Sequence, residues 1–507
     1  MPTIAHNLPA RTSQRVHARR ILGPDGRPWL VNAKYEAAQT TNDNRRRWTG
    51  ADSLAADYVG SSEVRQTLRN RARYETRNNS YLKGIIATLA NDTVGVGPQL
   101  GLNTGDNDID AAVEMEFWRW SRATRLAEKL RTIRAARAEA GEAFGIIVQN
   151  RGLAHEVKID LQVREAEEIA DPALSGVLSS DWYDGIRYDQ WGNPAFYRVL
   201  RAHPGAQGVI AALQLQYDDI PARYVLHYYR PGQRRGVPDI TPSLPIFMEL
   251  RRFCEATLAA AETAADFAGV LHTNSSLEED NVTGSVGTTT SASTTPQPMD
   301  LMELSKRMAT VLPEGWDLTQ LKAENPNTTY EMFVNAKLRE VARCLNMPFT
   351  IAALDSSQSN LSAAYLDHQT YAKAIGIDRD DMERLLDRLL DEWLTEAIRV
   401  PGLLPELPKV INHSWRWPCI GQHADPMKVA AGANMELQNN STTLAEICGK
   451  RGADWEDVLR QRAKERKLML ELDLVEAPLS PDQQGQAAKD EEAPPPGRGA
   501  PGRPRNR

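Results

Sequence analysis

The chain is poor in cysteine: four in 507 residues (Cys254, Cys344, Cys419 and Cys448), none spaced as CxxC. That excludes a disulfide-built scaffold and predicts buried free thiols in a reducing compartment. No run of about 18 apolar residues occurs, so no membrane-spanning helix is expected; the best stretch, 256–271, is broken by Glu262 and Asp266. The first twenty residues hold no apolar core, which predicts no secretory signal. An excess of positive charge is missing too: 60 Lys+Arg against 67 Asp+Glu give −7, not the balance of a cationic nucleic-acid binder. Hydrophobic residues at 41% and charged ones at 25% exclude a wholly disordered chain, and the length allows about three to five domains.

Nucleotide and hydrolase signatures are also lacking. There is no GxxxxGK[ST], HExxH or GxSxG. Gly95-Val96-Gly97 stops a helix instead of opening a dinucleotide-binding unit. His155-Glu156 stands alone on a predicted strand and reads as a solvated pair.

What is present is a long alternation of helix and strand patterns. Residues 1–80 carry fourteen Lys/Arg against seven Asp/Glu, with a cluster at Arg45-Arg46-Arg47-Trp48. They read as a solvated arm, or one that touches phosphate or an acidic surface. Leu82, Ile85, Ile86 and Leu89 fall at helical spacing, so a helix is expected over 79–91. Further helices are expected over 109–120 and 125–140. Strands are expected over 143–149, 157–163 and 224–229, with a hairpin of 185–189 and 195–199 turning at Trp191-Gly192-Asn193-Pro194. An alanine-rich helix follows over 245–268. Residues 273–298 hold fourteen Ser/Thr/Gly in twenty-six positions and read as a disordered insertion. Helices are predicted over 330–345, 361–400 (which Gly376 could kink), 426–439, 443–449 and 454–470, and the Pro/Gly/Arg-rich stretch after 480 as disordered.

Two groups deserve a chemical reading. Asp378, Asp380, Asp381, Glu383, Asp387, Asp391 and Glu392 cluster, and Asp380, Asp387 and Asp391 share a helix face. Such carboxylates can hold Mg²⁺, but Arg379, Arg384 and Arg388 interleave as on a salt-bridged solvent face. The second group lies between strand and alanine-rich helix: Arg230, Pro231, Gly232, Gln233, Arg234, Arg235, Gly236, Val237 and Pro238. It reads as a rigid connector from which three arginines project.

The connector is one of six segments that carry a family resemblance. The others are RNNSYLKGIIATLANDTVGVG at 77–97, GIRYDQWGNPAFYRV at 185–199, AKLREVARCLNMPF at 336–349, SNLSAAYLDHQ at 359–369, and the stretch 424–466. In this order, across roughly 75–470, the chain resembles the lambda-like portal proteins of tailed bacteriophages.

The resemblance implies an α+β portal-type fold assembled as a ring, usually of twelve subunits. Its parts would be a flexible basic arm (1–49), an α+β wing (50–240), stem helices (241–269 and 329–347) and a clip (270–328). A tunnel loop (348–360), a long helix (361–409), helical crown (410–478) and disordered tail (479–507) would complete it. It implies no enzyme activity, cofactor, metal or membrane. The implied partners are double-stranded DNA in the channel, the terminase large subunit, the major capsid protein and scaffold, and head-completion or tail adaptor proteins. The implied location is the portal vertex of the virion, with assembly in host cytoplasm.

Residue chemistry agrees with a conduit. Ala256, Ala259, Ala260, Ala261, Ala264 and Ala265 would let stem helices of neighbouring subunits approach closely. Asp355, Ser356, Ser357, Gln358, Ser359 and Asn360 offer weak hydrogen bonding without fixed positive charge, so DNA could slide past. Two other readings stay open: a capsid connector or scaffold without a channel, and a metal-dependent DNA-processing enzyme using the 378–392 carboxylates.

Overall fold

The computed structural model describes residues 54–171, 182–206, 216–266, 270–273, 316–319, 329–357, 359–408, 411–420, 426–450, 452–472 and 474. The arm 1–49, the insertion beyond Thr273 and the tail 479–507 lie outside the described residues. The chain divides into Met1–Tyr58 and Val59–Arg507. Residues 54–58 of the first are described, where a single turn, α1 (Ala56–Val59), begins. All later elements belong to the second.

Among them β2 (Glu142–Gln149) organises the strands, because it is buried on both faces. Its side chains alternate between two cores. Ala143 and Ile147 face a core built with α4 (Asn107–Ala123), α5 (Leu126–Ala140) and the second half of α9 (Leu361–Ala397). Phe144 and Ile146 face a smaller core against Ile186, Tyr197 and Val199. β2 pairs antiparallel with β3 (Ile159–Arg164) and with β8 (Val225–Tyr229), giving the order β3-β2-β8. The expected hairpin forms as β5 (Ile186–Tyr188) and β6 (Pro194–Leu200), in a four-stranded antiparallel sheet with β4 (Trp182–Tyr183) and β7 (Tyr217–Pro221).

An unforeseen ladder joins β1 (Gln99–Asn103) to β11 (Asn412–Arg416), some three hundred residues on. It brings Trp415 onto Phe117, itself edge-on to Trp393 at 5.2 Å. Trp120 completes the cluster, and its indole N–H donates to the Ile159 carbonyl at 2.8 Å.

The third core packs α3 (Ser80–Val94) against α2 (Ser62–Asn78), the start of α6 (Leu244–Asp266), α7 (Thr329–Cys344), α8 (Phe349–Ala352) and Tyr371 and Ile375 of α9. Leu82, Ile85, Ile86 and Leu89 are its α3 contribution, as their spacing predicts. α9 runs unbroken through Gly376 for 37 residues, about 55 Å. It spans two cores, with Met382, Leu386, Leu389 and Trp393 in the aromatic one. A short ladder, β9 (Val270–Thr273) with β10 (Trp316–Thr319), follows α6. α10 (Pro426–Gln438), α11 (Leu444–Lys450) and α12 (Trp455–Glu471) come last, and Asp454 caps α12 by accepting from the Glu456 and Asp457 amides.

Several expectations are corrected. Residues 62–78, counted with the solvated arm, are a helix whose buried face carries Arg65 and Arg69. The loop after Pro348 begins with a helical turn, α8. His155 sits in a bend, not a strand; its side chain is nearly buried and pairs with Glu116 at 3.7 Å, not with Glu156. All four cysteines are free, but Cys448 alone is buried and Cys419 is exposed.

Candidate functional site: connector hub and channel loop

The connector is fixed by one carboxylate. Glu142 opens β2 and is fully enclosed. It accepts from Arg235 Nη2 at 2.7 Å, Arg235 Nε at 2.9 Å, Arg69 Nη1 at 3.2 Å and the Gly236 amide at 2.9 Å. His227 Nε2 lies 3.1 Å from Oε2, the oxygen that also accepts from the Gly236 amide. Burial alone would raise the pKa of Glu142, but Arg235 and His227 overcome it and hold the carboxyl below its ordinary range. Burial depresses His227, which keeps the imidazole neutral. Its ring is stacked between Phe144 and Tyr229 at 4.3 and 4.0 Å.

Arg235 therefore does not project as the sequence suggested: it is 1% exposed. Its remaining N–H groups donate to the Ile169, Ala166 and Asp184 carbonyls. Arg234 is exposed beside the Tyr183 and Tyr188 rings, and Arg230, Pro231 and Gly232 are exposed as expected. Gly236 and Gly141 meet backbone to backbone. A Cβ on Gly236 would stand 2.1 Å from the Gly141 carbonyl oxygen, and Gly141 has φ +90°, so both positions need glycine.

The hub extends along α2. Arg65, Arg69, Arg73 and Arg77 recur every fourth residue, and the first three meet acids of the sheet side: Arg65 with Asp184, Arg69 with Glu142 and Glu167, Arg73 with Glu165 and Glu167. Sequence reasoning missed Glu142, Asp184 and this ladder, although the four-residue arginine period was its signal. Glu165, Glu167 and His203 bring ligand atoms within 4.8 Å of one another, but Arg73 and Arg69 already neutralise the two carboxylates.

The loop after α8 is shaped by its own polar groups. Asp355 accepts from the Ser357 amide at 2.9 Å, Ser359 N donates to the Ser356 carbonyl at 3.1 Å, and Asn360 caps α9 through the Ser362 amide at 3.2 Å. Ser356, Ser357, Ser359 and Asn360 are exposed, and Gln358 lies outside the described residues. Leu354 was not foreseen: it is 83% exposed with φ +53°, and no sequence signal marks such a leucine. On α6, Ala256, Ala259, Ala260 and Ala261 are exposed. Ala264 and Ala265 lie in the same helix, with side chains outside the described ones.

The 378–392 carboxylates do not converge. Asp378 binds Arg134 at 2.6 Å, Glu383 accepts from Trp417 Nε1, and Asp387 accepts from Trp415 Nε1 and meets His413. Only Asp380–Arg384 is the exposed i,i+4 pair expected of a solvent face. Arg379 and Arg388 instead donate inward to backbone carbonyls. Asp378, Glu383 and Asp387 hold α9 to its neighbours.

A model of phage portal proteins of the lambda family matches residues 41–378. That span takes in α2, the hub, the connector, α6, α7 and the loop before α9. A probable portal protein of Halomonas phage phiHAP-1 is 24% identical over 471 residues, covering 86% of each chain. Chains from the neck of an empty GTA particle computed with C6 symmetry (12% identity, TM-score 0.44, 75% of this chain and 93% of that one) and from the neck of a native GTA particle computed with C12 symmetry (12%, 0.41, 75% and 92%) are similar in structure. The chain belongs to the lambda family of phage portal proteins. It is a portal channel protein of the phage virion, in a family whose role is structural.

Proposed function

We propose that this chain closes into a ring, of twelve copies in the virion, at one vertex of the capsid. Double-stranded DNA enters through it under the terminase motor and leaves by the same route after head-completion or tail proteins dock. The family match over 41–378 carries this reading. The exposed alanines of α6 support close packing of neighbouring stem helices, and the exposed serines before α9 support a weakly bonding loop at the channel wall. Assembly takes place in the host cytoplasm with capsid protein and scaffold. The wing, clip and crown divisions suggested by the family remain part of this proposal.

Electron microscopy of the purified chain, alone and with scaffold and capsid protein, tests it. A closed ring with an opening wide enough for a DNA duplex is expected. Oligomers without an opening under every condition would favour the connector reading instead. Replacing Ser356, Ser357, Gln358 and Ser359 by glycine tests the loop: DNA retention should fall, and unchanged packaging and retention would remove its role.

A further inference from the structure

A groove of about 1130 Å³ separates α4 and the β1–β11 ladder from the α11–α12 pair. About half of its lining, from Arg379 to Arg460, lies beyond the family match, and the portal reading leaves it unused. Its walls are aromatic and acidic. Trp118 on α4 and Trp455 on α12 are 50% and 39% exposed, unusual for side chains of this size, and both line it. Asp110, Glu114, Glu446, Asp454, Glu456 and Asp457 supply six carboxylates.

Among the described residues the three guanidiniums at the groove do not reach Asp110 or Asp457. Arg416 serves Asp454 and Glu114, Arg460 reaches Glu456 at 3.4 Å, and Arg379 donates to the Asp92 and Thr93 carbonyls. Among the described residues Asp110 and Asp457 form no ion pair. An occupant should therefore be cationic and should present flat or ring-shaped apolar surface to indole. Proline-rich segments flanked by arginine meet that description: a polyproline II ridge packs on aromatic rings at low entropy cost, and the guanidinium takes the carboxylate.

The chain contains such a segment. Residues 493–507, APPPGRGAPGRPRNR, hold five prolines, four arginines and no acid. We propose that this segment docks in the groove of its own subunit, with proline rings against Trp118 and Trp455 and arginines toward Asp110 and Asp457. The reach fits. From Asp457 to the end of α12 at Glu471 the helix rises about 21 Å. A flexible tether of eighteen residues, the length of 475–492, would span about 23 Å on average and at most about 59 Å. A tether matched to its span gives the greatest effective concentration, in the millimolar range. Residues 475–492 carry five acids and one lysine, so the charge that fits the acidic groove is confined to 493–507. The docking needs a single subunit only and is independent of ring formation.

Hydrogen exchange on the full-length chain tests this, read at segments 107–121 and 454–460. Wild type is compared with a tail variant carrying Arg503→Glu and Arg505→Glu, and with a groove variant, Asp457→Lys. Exchange in both segments should be at least threefold slower in wild type than in either variant, with exchange in β2 unchanged. A synthetic peptide of residues 493–507 should restore protection to the tail variant and not to the groove variant. Equal exchange in wild type and tail variant would overturn the proposal. So would equal restoration by a peptide of the same arginine count with serine for every proline. Protection that rises with chain concentration would place the segment in a neighbouring subunit and overturn the intrachain form.

Discussion

Replacing Glu142 by glutamine should be among the most damaging single changes in this chain. The side chain keeps its size but loses its charge, while Arg235 and Arg69 stay buried around it. Asp184 at 3.2 Å and Glu167 at 3.3 Å offset part of this, but neither lies as close as the 2.7 Å contact it removes. Removing one partner of a buried pair costs about 3–5 kcal/mol, against a typical total of about 5–15 kcal/mol for a domain. Urea unfolding followed by tryptophan fluorescence reads the shift in midpoint. A second variant separates charge from packing: Glu142→Leu with Arg235→Met removes both charges, and should lose clearly less than the sum of the two single changes. A loss below about 1 kcal/mol for Glu142→Gln, the level of a surface pair, would refute the view that this carboxylate holds connector, sheet and α2 together.

Further outcomes follow from the same geometry. Acid should weaken the hub in two stages. His227 binds protons more readily unfolded, because burial lowers its value from 6.5 in the fold, so its contribution is present above about pH 6.5 and is lost as pH falls below it. Glu142 behaves likewise below its ordinary 4.5, and each stage has a slope of at most about 1.4 kcal/mol per pH unit; His227→Gln should flatten the first stage in a pH series of unfolding midpoints. Gly236→Ala should cost more than about 1 kcal/mol by the same assay, since the Gly141 carbonyl must move. Ala260→Trp, at an exposed position of α6, should leave the subunit folded by circular dichroism yet reduce ring yield in electron micrographs; normal rings would exclude that face from subunit packing.

Much of the architecture was legible because periodicity survives in the sequence. Leu82, Ile85, Ile86 and Leu89 announce α3, and Met382, Leu386, Leu389 and Trp393 announce the buried face of α9, since apolar spacing alone decides which face of a helix is covered. The connector was legible as a turn, but not the direction of Arg235. A string of arginines beside glycine and proline looks the same whether it points to water or to a buried acid. Asp387 shows the converse: it looked like a possible metal ligand beside Asp380 and Asp391, and it is an acceptor for Trp415 and His413.

The sequence by itself determined the helices other than α1, α2 and α8, five of the eleven strands among the described residues, and the family, because these depend on local spacing and on ordered motifs. Tertiary structure alone decided that Glu142 gathers Arg69, His227, Arg235 and the Gly236 amide. It also decided that residues 412–416 complete a ladder with residues 99–103, and that Trp118 and Trp455 face one acidic groove. Each of these joins residues from about seventy to more than three hundred positions apart, and no periodicity within a window reports which distant charge or ring will be its neighbour.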